Sequence, residues 1–238
     1  MFNKTVESVV EDSGFKCILY GTSGSGKTHS ISTAPNQEGV AILSAEAGLR
    51  SLKNLCPKTA VEVIRDMNGL RAAYEFLAGP EGARFHTVFL DSITEIGEIV
   101  LAAEKIKCKD PRQAYGELIE QATKAIKAFR DLPGKNVILI AQESTNQDDM
   151  GRIFRGPSMP GKQLGPKLPF WQDAVFCLRV KKDEDGSYKR AFQCRMVDEE
   201  YVAKFRGIEL EDFEAPDWTV IFSKANATPD TKTKKGGK

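Results

Sequence analysis

Residues 15 to 31 read FKCILYGTSGSGKTHSI, and the central segment GTSGSGKT, residues 21 to 28, decides the fold. This segment matches the pattern G-x-x-x-x-G-K-[ST] in full. An apolar run precedes it and a helical segment follows it, which is the context that the pattern requires. Its glycines allow backbone N–H groups to surround an anion at the start of a helix. The stretch therefore predicts a phosphate-binding loop, or P-loop, for ATP with Mg²⁺.

Each polar residue of this loop has an expected role. Lys27 supplies a positive charge to the β- and γ-phosphates, and the hydroxyl of Thr28 ligates Mg²⁺. The competing interpretation is a glycine-rich turn with a chance lysine, which the flanking strand and helix disfavour. The predicted nucleotide-binding residues are Gly21, Thr22, Ser23, Gly24, Ser25, Gly26, Lys27 and Thr28.

Short apolar runs alternate with helical patterns along the first 142 residues. Buried strands of a mostly parallel sheet are expected at 15–20, 39–44, 61–65, 86–91 and 136–142. Helices are expected from Lys27 onward and at 68–78, 93–107 and 113–131. Alternation of this kind predicts an α/β fold with right-handed crossovers.

The composition and periodicity of the sequence change after residue 142. Residues 143–161 are polar and aperiodic, so they are expected to form a long loop, followed by a short helix at 162–171. VFCLRVKK and SYKRAFQCR flank the turn DEDG, which predicts an antiparallel hairpin at the end of the sheet. The expected organisation is an N-terminal segment (1–14), one ATPase domain (15–222) and a disordered basic tail (223–238).

Composition excludes some classes of protein. The net charge of +1 indicates no overall basic field for nucleic acid, so any DNA contact has to come from local patches. Five scattered cysteines without a C-x-x-C pair fit neither a disulfide framework nor a zinc site, which favours a cytoplasmic location. No apolar segment approaches the ~18 residues of a membrane helix, so no membrane partner is expected.

Three polar residues follow predicted strands at the edge where the P-loop lies. Asp91 ends the run TVFL and is expected to hold the Mg²⁺ shell as the Walker B aspartate, although Asp91 or Ser92 is equally suited to cap the next helix. Glu46 follows GVAILS and is a candidate general base that orients water, or a surface glutamate at a helix start. Gln142 ends NVILIAQ and is a candidate γ-phosphate sensor, or an ordinary polar residue at a strand end.

The order AEAGL, TVFLDS, ILIAQ, a glycine-rich loop, GKQLGPK and AKFRG resembles the RecA recombinase core, from about residue 15 to 222. Within that superfamily the chain is most similar to short phage RecA-like proteins grouped with the Sak-type single-strand annealing proteins, often described as phage AAA-family ATP-binding proteins. The resemblance implies a RecA-like P-loop core that binds and anneals single-stranded DNA while hydrolysing ATP. It would place such a protein in the host cytoplasm.

The resemblance also implies a role for particular residues. Glu46 would be the catalytic glutamate, Asp91 the Walker B aspartate, and Gln142 the link between the γ-phosphate and DNA. Lys204 and Arg206 would match the paired lysines that reach a neighbouring subunit's ATP, with arginine in place of the second lysine. KIKCKDPR (105–112) and 143–161 would be the two DNA loops. The predicted DNA-binding residues are Lys105, Lys107, Lys109, Arg112, Arg152, Phe154, Arg155 and Lys162, for each of which a solvated surface residue is the plainer alternative.

The implied partners are single-stranded DNA, further copies of the chain in a ring or filament, and a single-strand binding protein. Residues 1 to 14 precede the first predicted strand, so an N-terminal oligomerisation domain of the RecA type is expected to be missing, as is its C-terminal DNA domain. Two other functions fit a P-loop. One is a nucleotide or small-molecule kinase with the Arg152 and Arg155 segment as its lid, and the other is a non-catalytic ATP-binding adaptor such as a helicase loader.

Overall fold

The computed structural model describes residues 5, 6, 8, 13–46, 48–148, 150–183 and 185–227, and nine strands and five α-helices have both ends within these ranges. The strands are β1 (Lys16–Gly21), β2 (Val40–Ser44), β3 (Ala60–Val63), β4 (Thr87–Asp91), β5 (Asn136–Gln147), β6 (Ile153–Pro157), β7 (Ala174–Lys182), β8 (Tyr188–Gln193) and β9 (Phe213–Glu214). The α-helices are α1 (Lys27–Ser30), α2 (Met67–Ala78), α3 (Ile93–Lys107), α4 (Pro111–Arg130) and α5 (Trp218–Asn226).

The sheet has the order β3-β2-β4-β5-β1-β7-β8-β9. In this spatial order, neighbouring strands pair in parallel from β3 at the edge as far as β7. The pairs β7 with β8 and β8 with β9 are antiparallel. The predicted α/β fold with a mostly parallel sheet that ends in an antiparallel hairpin is therefore confirmed. Parallel pairing also brings the ends of β1, β2, β4 and β5 to one edge of the sheet, where the P-loop lies.

Each face of the sheet has its own hydrophobic core. Along β1, Ile18 and Tyr20 belong to one core, while Cys17 and Leu19 belong to the other, because successive side chains of a strand point to opposite faces. Helices α2, α3 and α4 cover the first face and α5 covers the second. Burial on both faces explains why these strands are almost continuously apolar.

Side chains at the helix starts accept hydrogen bonds from backbone N–H groups that have no partner inside the helix. Asp66 accepts from the N–H of Gly69, Ser92 from that of Glu95, and Asp110 from that of Arg112. Pro111 occupies the first turn of α4, where its missing N–H costs nothing. Among the described residues, no helix combines the length and the apolar character that crossing a bilayer requires.

The predicted long loop at 143–161 is wrong in part. Residues 143–147 extend β5 beyond the sheet edge and pair antiparallel with β6, so this segment is a hairpin, called here the β5–β6 hairpin (143–157). Its side chains are mostly half-buried or exposed, and neither strand shows a regular apolar alternation. The register is therefore held by backbone pairing together with polar contacts across the hairpin, such as the ion pair between Arg155 and Glu143. Gly151 turns the chain with a φ of 82°.

Two helical predictions differ in detail. The helix that begins at Lys27 has only one α-turn and continues as a 3₁₀ turn over Ile31–Thr33, and the expected helix at 162–171 is a 3₁₀ helix over Gly165–Trp171. The hydroxyls of Ser30 and Thr33 donate to carbonyls three residues earlier. Such local side-chain hydrogen bonds compete with a regular α-helix.

Helix α5 corrects the predicted boundary of the tail, because residues 223–226 are helical rather than disordered. Trp218 is fully buried and its ring lies against those of Phe89, Phe192 and Phe222. Its indole Nε1 donates to the hydroxyl of Ser30 at 3.2 Å. Ser30 is the last residue of α1, the helix that begins at the P-loop lysine. Residues 228–238, and most of the predicted segment 1–14, lie outside the described residues.

Replacing Trp218 with Ala should lower the free energy of unfolding by about 3–5 kcal/mol, the usual cost of a large aromatic cavity in a core. Urea denaturation of the two proteins measures this loss. Phe170 is 77% exposed, so Phe170→Ala is the matched control and should change stability little. Equal stability of Trp218→Ala and wild type would contradict the placement of α5 in the core.

Candidate nucleotide-binding site

The P-loop connects β1 to α1 at the carboxyl edge of the sheet. Gly24 and Gly26 have φ values of 74° and 108°, a region that other residues rarely adopt, so glycine is required for the tight turn. A side chain at Gly21 would place its Cβ 2.9 Å from the carbonyl oxygen of Leu178 on β7. The glycines of the motif therefore serve both the turn and its packing against the neighbouring strand.

Lys27 folds back over its own loop. Its Nζ donates to the carbonyl oxygens of Gly21 and Thr22, both at 2.9 Å. Burial lowers the pKa of Lys27 from its usual value, while the carboxylates of Glu46 and Asp91 act in the opposite direction. This ammonium is held at the mouth of the loop, where phosphate oxygens are able to replace the two carbonyls.

Thr28 and Asp91 meet at the predicted metal position. The hydroxyl of Thr28 donates to Asp91 Oδ2 at 2.7 Å, although the two residues lie on different elements. Burial raises the pKa of Asp91 to about 6, and the Thr28 hydrogen bond opposes that rise. Because Ser92 caps α3, the Asp91 carboxylate is not occupied as the helix cap and is directed to Thr28.

Glu46 lies beside Gln142 and Ser92 on the same edge. Glu46 Oε1 accepts from the Ser92 hydroxyl and from the amide Nε2 of Gln142, the latter at 3.3 Å. Backbone bonds fix the segment, since the N–H groups of Ala45 and Glu46 both donate to the carbonyl of Asp91. The structure thus brings together three residues that the sequence places at the ends of three different strands.

Gly48 explains how closely this segment approaches the P-loop. A Cβ built on Gly48 would lie 3.1 Å from the hydroxyl oxygen of Thr28. Any larger residue would press on the hydroxyl predicted to ligate Mg²⁺. The chain after β2, which carries Glu46 and Gly48, therefore packs directly against the P-loop at Thr28.

A pocket of about 800 Å³ opens at this edge of the sheet, and a volume of this size is typical of a small-molecule site. Its lining includes Lys27, Thr28, Glu46 and Gln142 together with Glu143 and Arg190. A glycine-lined turn, an ammonium and a Thr–Asp pair suit ATP with Mg²⁺, because Mg²⁺ takes few protein ligands and completes its shell with phosphate and water oxygens. The described residues contain no cluster of three or more His, Cys, Asp or Glu.

Two residues at this site carried no signal in the sequence. Glu143 lines the pocket and its carboxylate lies 3.5 Å from the guanidinium of Arg155. Arg190 comes from β8 and contacts the P-loop. Neither residue belongs to a motif, and only the pairing of distant strands brings them here.

The predicted finger residues lie away from this pocket. Lys204 exchanges two backbone hydrogen bonds with Val175 near the start of β7, and Val175 is level with Ile18, three residues before the P-loop. Arg206 is exposed and its guanidinium lies 3.4 Å from the carbonyl oxygen of Phe170. The structure therefore does not join Lys204 and Arg206 to the P-loop of their own chain.

The two predicted DNA segments differ in how their charges are compensated. Arg152 is paired with Asp148 and Glu199, and Arg155 with Glu143 and Glu200. Phe154 is half-buried in β6 opposite Asn146. Other members of the predicted set are exposed, and among them only Lys107 has a carboxylate partner, Glu104, within the described part of the chain. The exposed members are Lys105, Lys107, Lys109, Arg112 and Lys162.

A parallel sheet with a P-loop after β1 and an acidic residue at the end of β4, with β5 between these two strands, defines a P-loop nucleotide-binding domain. Residues 13–206 match the family model of the AAA domain, and the chain belongs to that family of P-loop ATPases. No curated protein matches the chain at a significant level.

Among solved structures, the chain is similar to a prototypical ATPase from the type III secretion system of pathogenic bacteria. The TM-score is 0.50 at 15% identity, with 70% of this chain and 52% of that chain covered. The chain thus spans about half the length of that ATPase, and the similarity concerns the fold.

Replacing Lys27 with Ala should weaken ATP binding by roughly tenfold or more, because the variant has no charge-assisted hydrogen bond to phosphate at this position. Calorimetric titration with ATP and Mg²⁺ measures the affinity, and circular dichroism should show an unchanged fold. The exposed Lys53 provides the control, since Lys53→Ala removes the same charge outside the pocket. Wild-type affinity in Lys27→Ala would remove the P-loop from the site.

Proposed function

We propose that this chain binds ATP with Mg²⁺, hydrolyses it to ADP and phosphate, and uses the nucleotide to control binding of single-stranded DNA. The observation that carries the proposal is the hydrogen bond between Glu46 and Gln142. It joins the candidate general base to the strand that continues, beyond the pocket, as the β5–β6 hairpin.

Four side chains bind the nucleotide, the metal and the water, and two more orient the candidate base. When bound, ATP with Mg²⁺ supplies the phosphoanhydride bond that is cleaved. Lys27 exchanges its two loop carbonyls for phosphate oxygens, and Thr28 with Asp91 holds the metal side of the pocket. Glu46 orients a water molecule and accepts its proton, while Ser92 and Gln142 fix the carboxylate.

Gln142 connects the pocket to the hairpin through the backbone as well. Its carbonyl accepts from the N–H of Ser158, and its N–H donates to the hydroxyl of Thr94, which itself donates to the carbonyl of Ser158. These bonds join the residues immediately before and after the hairpin. A displacement of Gln142 on nucleotide binding therefore acts on the base of the hairpin.

The choice of single-stranded DNA rests on the RecA resemblance together with Tyr115, a residue outside the two candidate DNA segments that lies close to both of them. A Cβ on Gly161 would lie 3.3 Å from the ring of Tyr115, and the Lys105 ammonium lies 5.6 Å from the centre of the same ring. Residues 105–112 and the chain just after the hairpin therefore share one surface. That surface offers exposed lysines for phosphates and a partly exposed aromatic ring for a base.

The hairpin itself favours a second candidate function, a nucleotide-dependent adaptor that binds a protein. Both of its arginines are paired with carboxylates, which leaves little free positive charge for phosphates. Met150 and Ile153 near its turn are 92% and 56% exposed. Apolar side chains at a projecting turn suit a protein surface better than a DNA backbone.

Oligomerisation is part of the proposal. Lys204 and Arg206 lie away from their own pocket, as a pair that serves a neighbouring subunit has to. A cation supplied in trans stabilises charge that develops on the departing phosphate. A kinase needs no such pair, and nothing in the pocket favours that alternative.

Replacing Glu46 with Gln should leave ATP binding intact and slow hydrolysis by roughly 10²–10⁴, the usual loss when a general base is removed. Release of phosphate measures turnover, and titration with ATP measures affinity. Glu38 is exposed near the start of β2, at the opposite end of the strand, so Glu38→Gln is the matched control. Turnover at the wild-type rate would exclude Glu46 as the base.

Removing exposed lysines should separate the two candidate functions. The pair Lys109→Ala and Lys162→Ala should weaken binding of single-stranded DNA in the presence of ATP, and should make its salt dependence shallower by about 0.7 for each phosphate that is no longer neutralised. Fluorescence anisotropy at several salt concentrations measures both. Lys53→Ala with Lys58→Ala is the control for net charge.

If the lysine pair binds DNA as the wild type does, the shared surface is not the DNA site. Substitution of Met150 and Ile153 by Ser then tests the adaptor, since loss of a nucleotide-dependent protein complex with unchanged DNA binding supports it.

A further inference from the structure

Arg190 reaches the nucleotide pocket from β8, a strand that no sequence pattern connects with the P-loop. Its Nε donates to the carbonyl oxygen of Ser25 at 3.0 Å, and these residues are 165 positions apart. A Cβ on Gly26 would lie 3.4 Å from the same Nε. Arg190 also lines the pocket together with Lys27 and Thr28.

In the region that the structure describes, Arg190 forms no ion pair, whereas Lys189 beside it pairs with Asp183 and Arg179 on β7 lies 3.7 Å from Asp198. A guanidinium carries five N–H donors, and the bond to Ser25 uses only one of them. Four donors and a full positive charge are therefore left at the pocket.

Planar guanidinium groups bind phosphates through two parallel hydrogen bonds, which a lysine ammonium does not offer. The pocket already directs one cation, Lys27, at the predicted phosphate position. Arg190 approaches over Ser25 and Gly26, the part of the loop whose N–H groups surround the anion. Arg190 therefore lies where its guanidinium is able to donate hydrogen bonds to the phosphate groups of a nucleotide.

We propose that Arg190 is a phosphate-binding residue of this site, with Nε anchored on Ser25 and the terminal Nη groups donating to phosphate oxygens of the bound nucleotide. This proposal rests on the proposed nucleotide site and adds a second cation, supplied by the same chain, to it. It also ties the β7–β8 hairpin to nucleotide occupancy, because Arg190 is held level with Val180 in that hairpin.

A plainer role has to be separated from this one, since Arg190 also holds the P-loop through Ser25. Glutamine distinguishes the two roles. Its amide nitrogen lies the same number of bonds from Cα as Nε of arginine, so Arg190→Gln keeps a donor for the Ser25 carbonyl but lacks both Nη groups. Arg190→Ala lacks both functions, and Arg190→Lys keeps the charge without the planar fork.

The test is calorimetric titration of the full chain with ADP and Mg²⁺, a probe that is not hydrolysed. Arg190→Ala and Arg190→Gln should both bind ADP roughly tenfold to a hundredfold more weakly than wild type, and Arg190→Lys should fall between them and the wild type. Lys189→Ala, which removes a neighbouring charge paired with Asp183, should bind as wild type does. Thermal melting without nucleotide shows which variants fold.

Wild-type affinity in Arg190→Gln would overturn the proposal, because the loop contact alone would then account for any effect of Arg190→Ala. Wild-type affinity in Arg190→Ala would overturn it as well. Lys27→Ala in the same titration separates the two levels of failure. If Lys27→Ala also binds ADP normally, the nucleotide site itself is wrong, whereas weak binding by Lys27→Ala alone removes only Arg190. Should Arg190→Ala fail to fold, the comparison of Gln with Lys decides.

Discussion

Gly21, Ser44, Asp91 and Gln142 lie at or near the ends of four strands that pair in parallel, with Gly21 level with Gln142 and Ser44 level with Asp91. Parallel pairing forces the carboxyl ends of neighbouring strands to one edge of a sheet. The backbone hydrogen bonds between the strands therefore bring these functional groups to one edge of the sheet. A shift of one residue in the β2–β4 register or in the β1–β5 register would turn Asp91 or Gln142 to the opposite face of the sheet. The groups of the site would then no longer lie together.

Charge balance follows from that arrangement. Asp91 is buried, and burial raises its pKa, while Lys27 on the adjacent loop has its pKa lowered by the same cause. Each group favours the charged form of the other, so the edge combines a cation and an anion that solvent screens poorly. Such a pair suits a ligand that brings both phosphate charge and a divalent metal, because each member then gains a stronger partner.

Sequence patterns predicted much of this and missed particular parts for physical reasons. The parallel sheet was predictable because its strands are apolar on both faces, and the P-loop because its glycines are needed for backbone shape. The β5–β6 hairpin was missed because neither of its faces supplies a regular apolar alternation. Helix α5 was missed because its few buried residues, among them Trp218, directly precede a polar tail. Arg190 could not be selected, since only the β7–β8 pairing brings it to Ser25.

We propose that the nucleotide in the P-loop controls the β5–β6 hairpin through Glu46 and Gln142. Amide hydrogen exchange tests this most directly, with the chain bound either to ADP or to a non-hydrolysable ATP analogue, each with Mg²⁺. Exchange across residues 142–157 should differ between the two nucleotides, while the edge strand β3 should exchange alike in both. Equal exchange of residues 142–157 in the two complexes, with residues 21–28 protected in each, would contradict it.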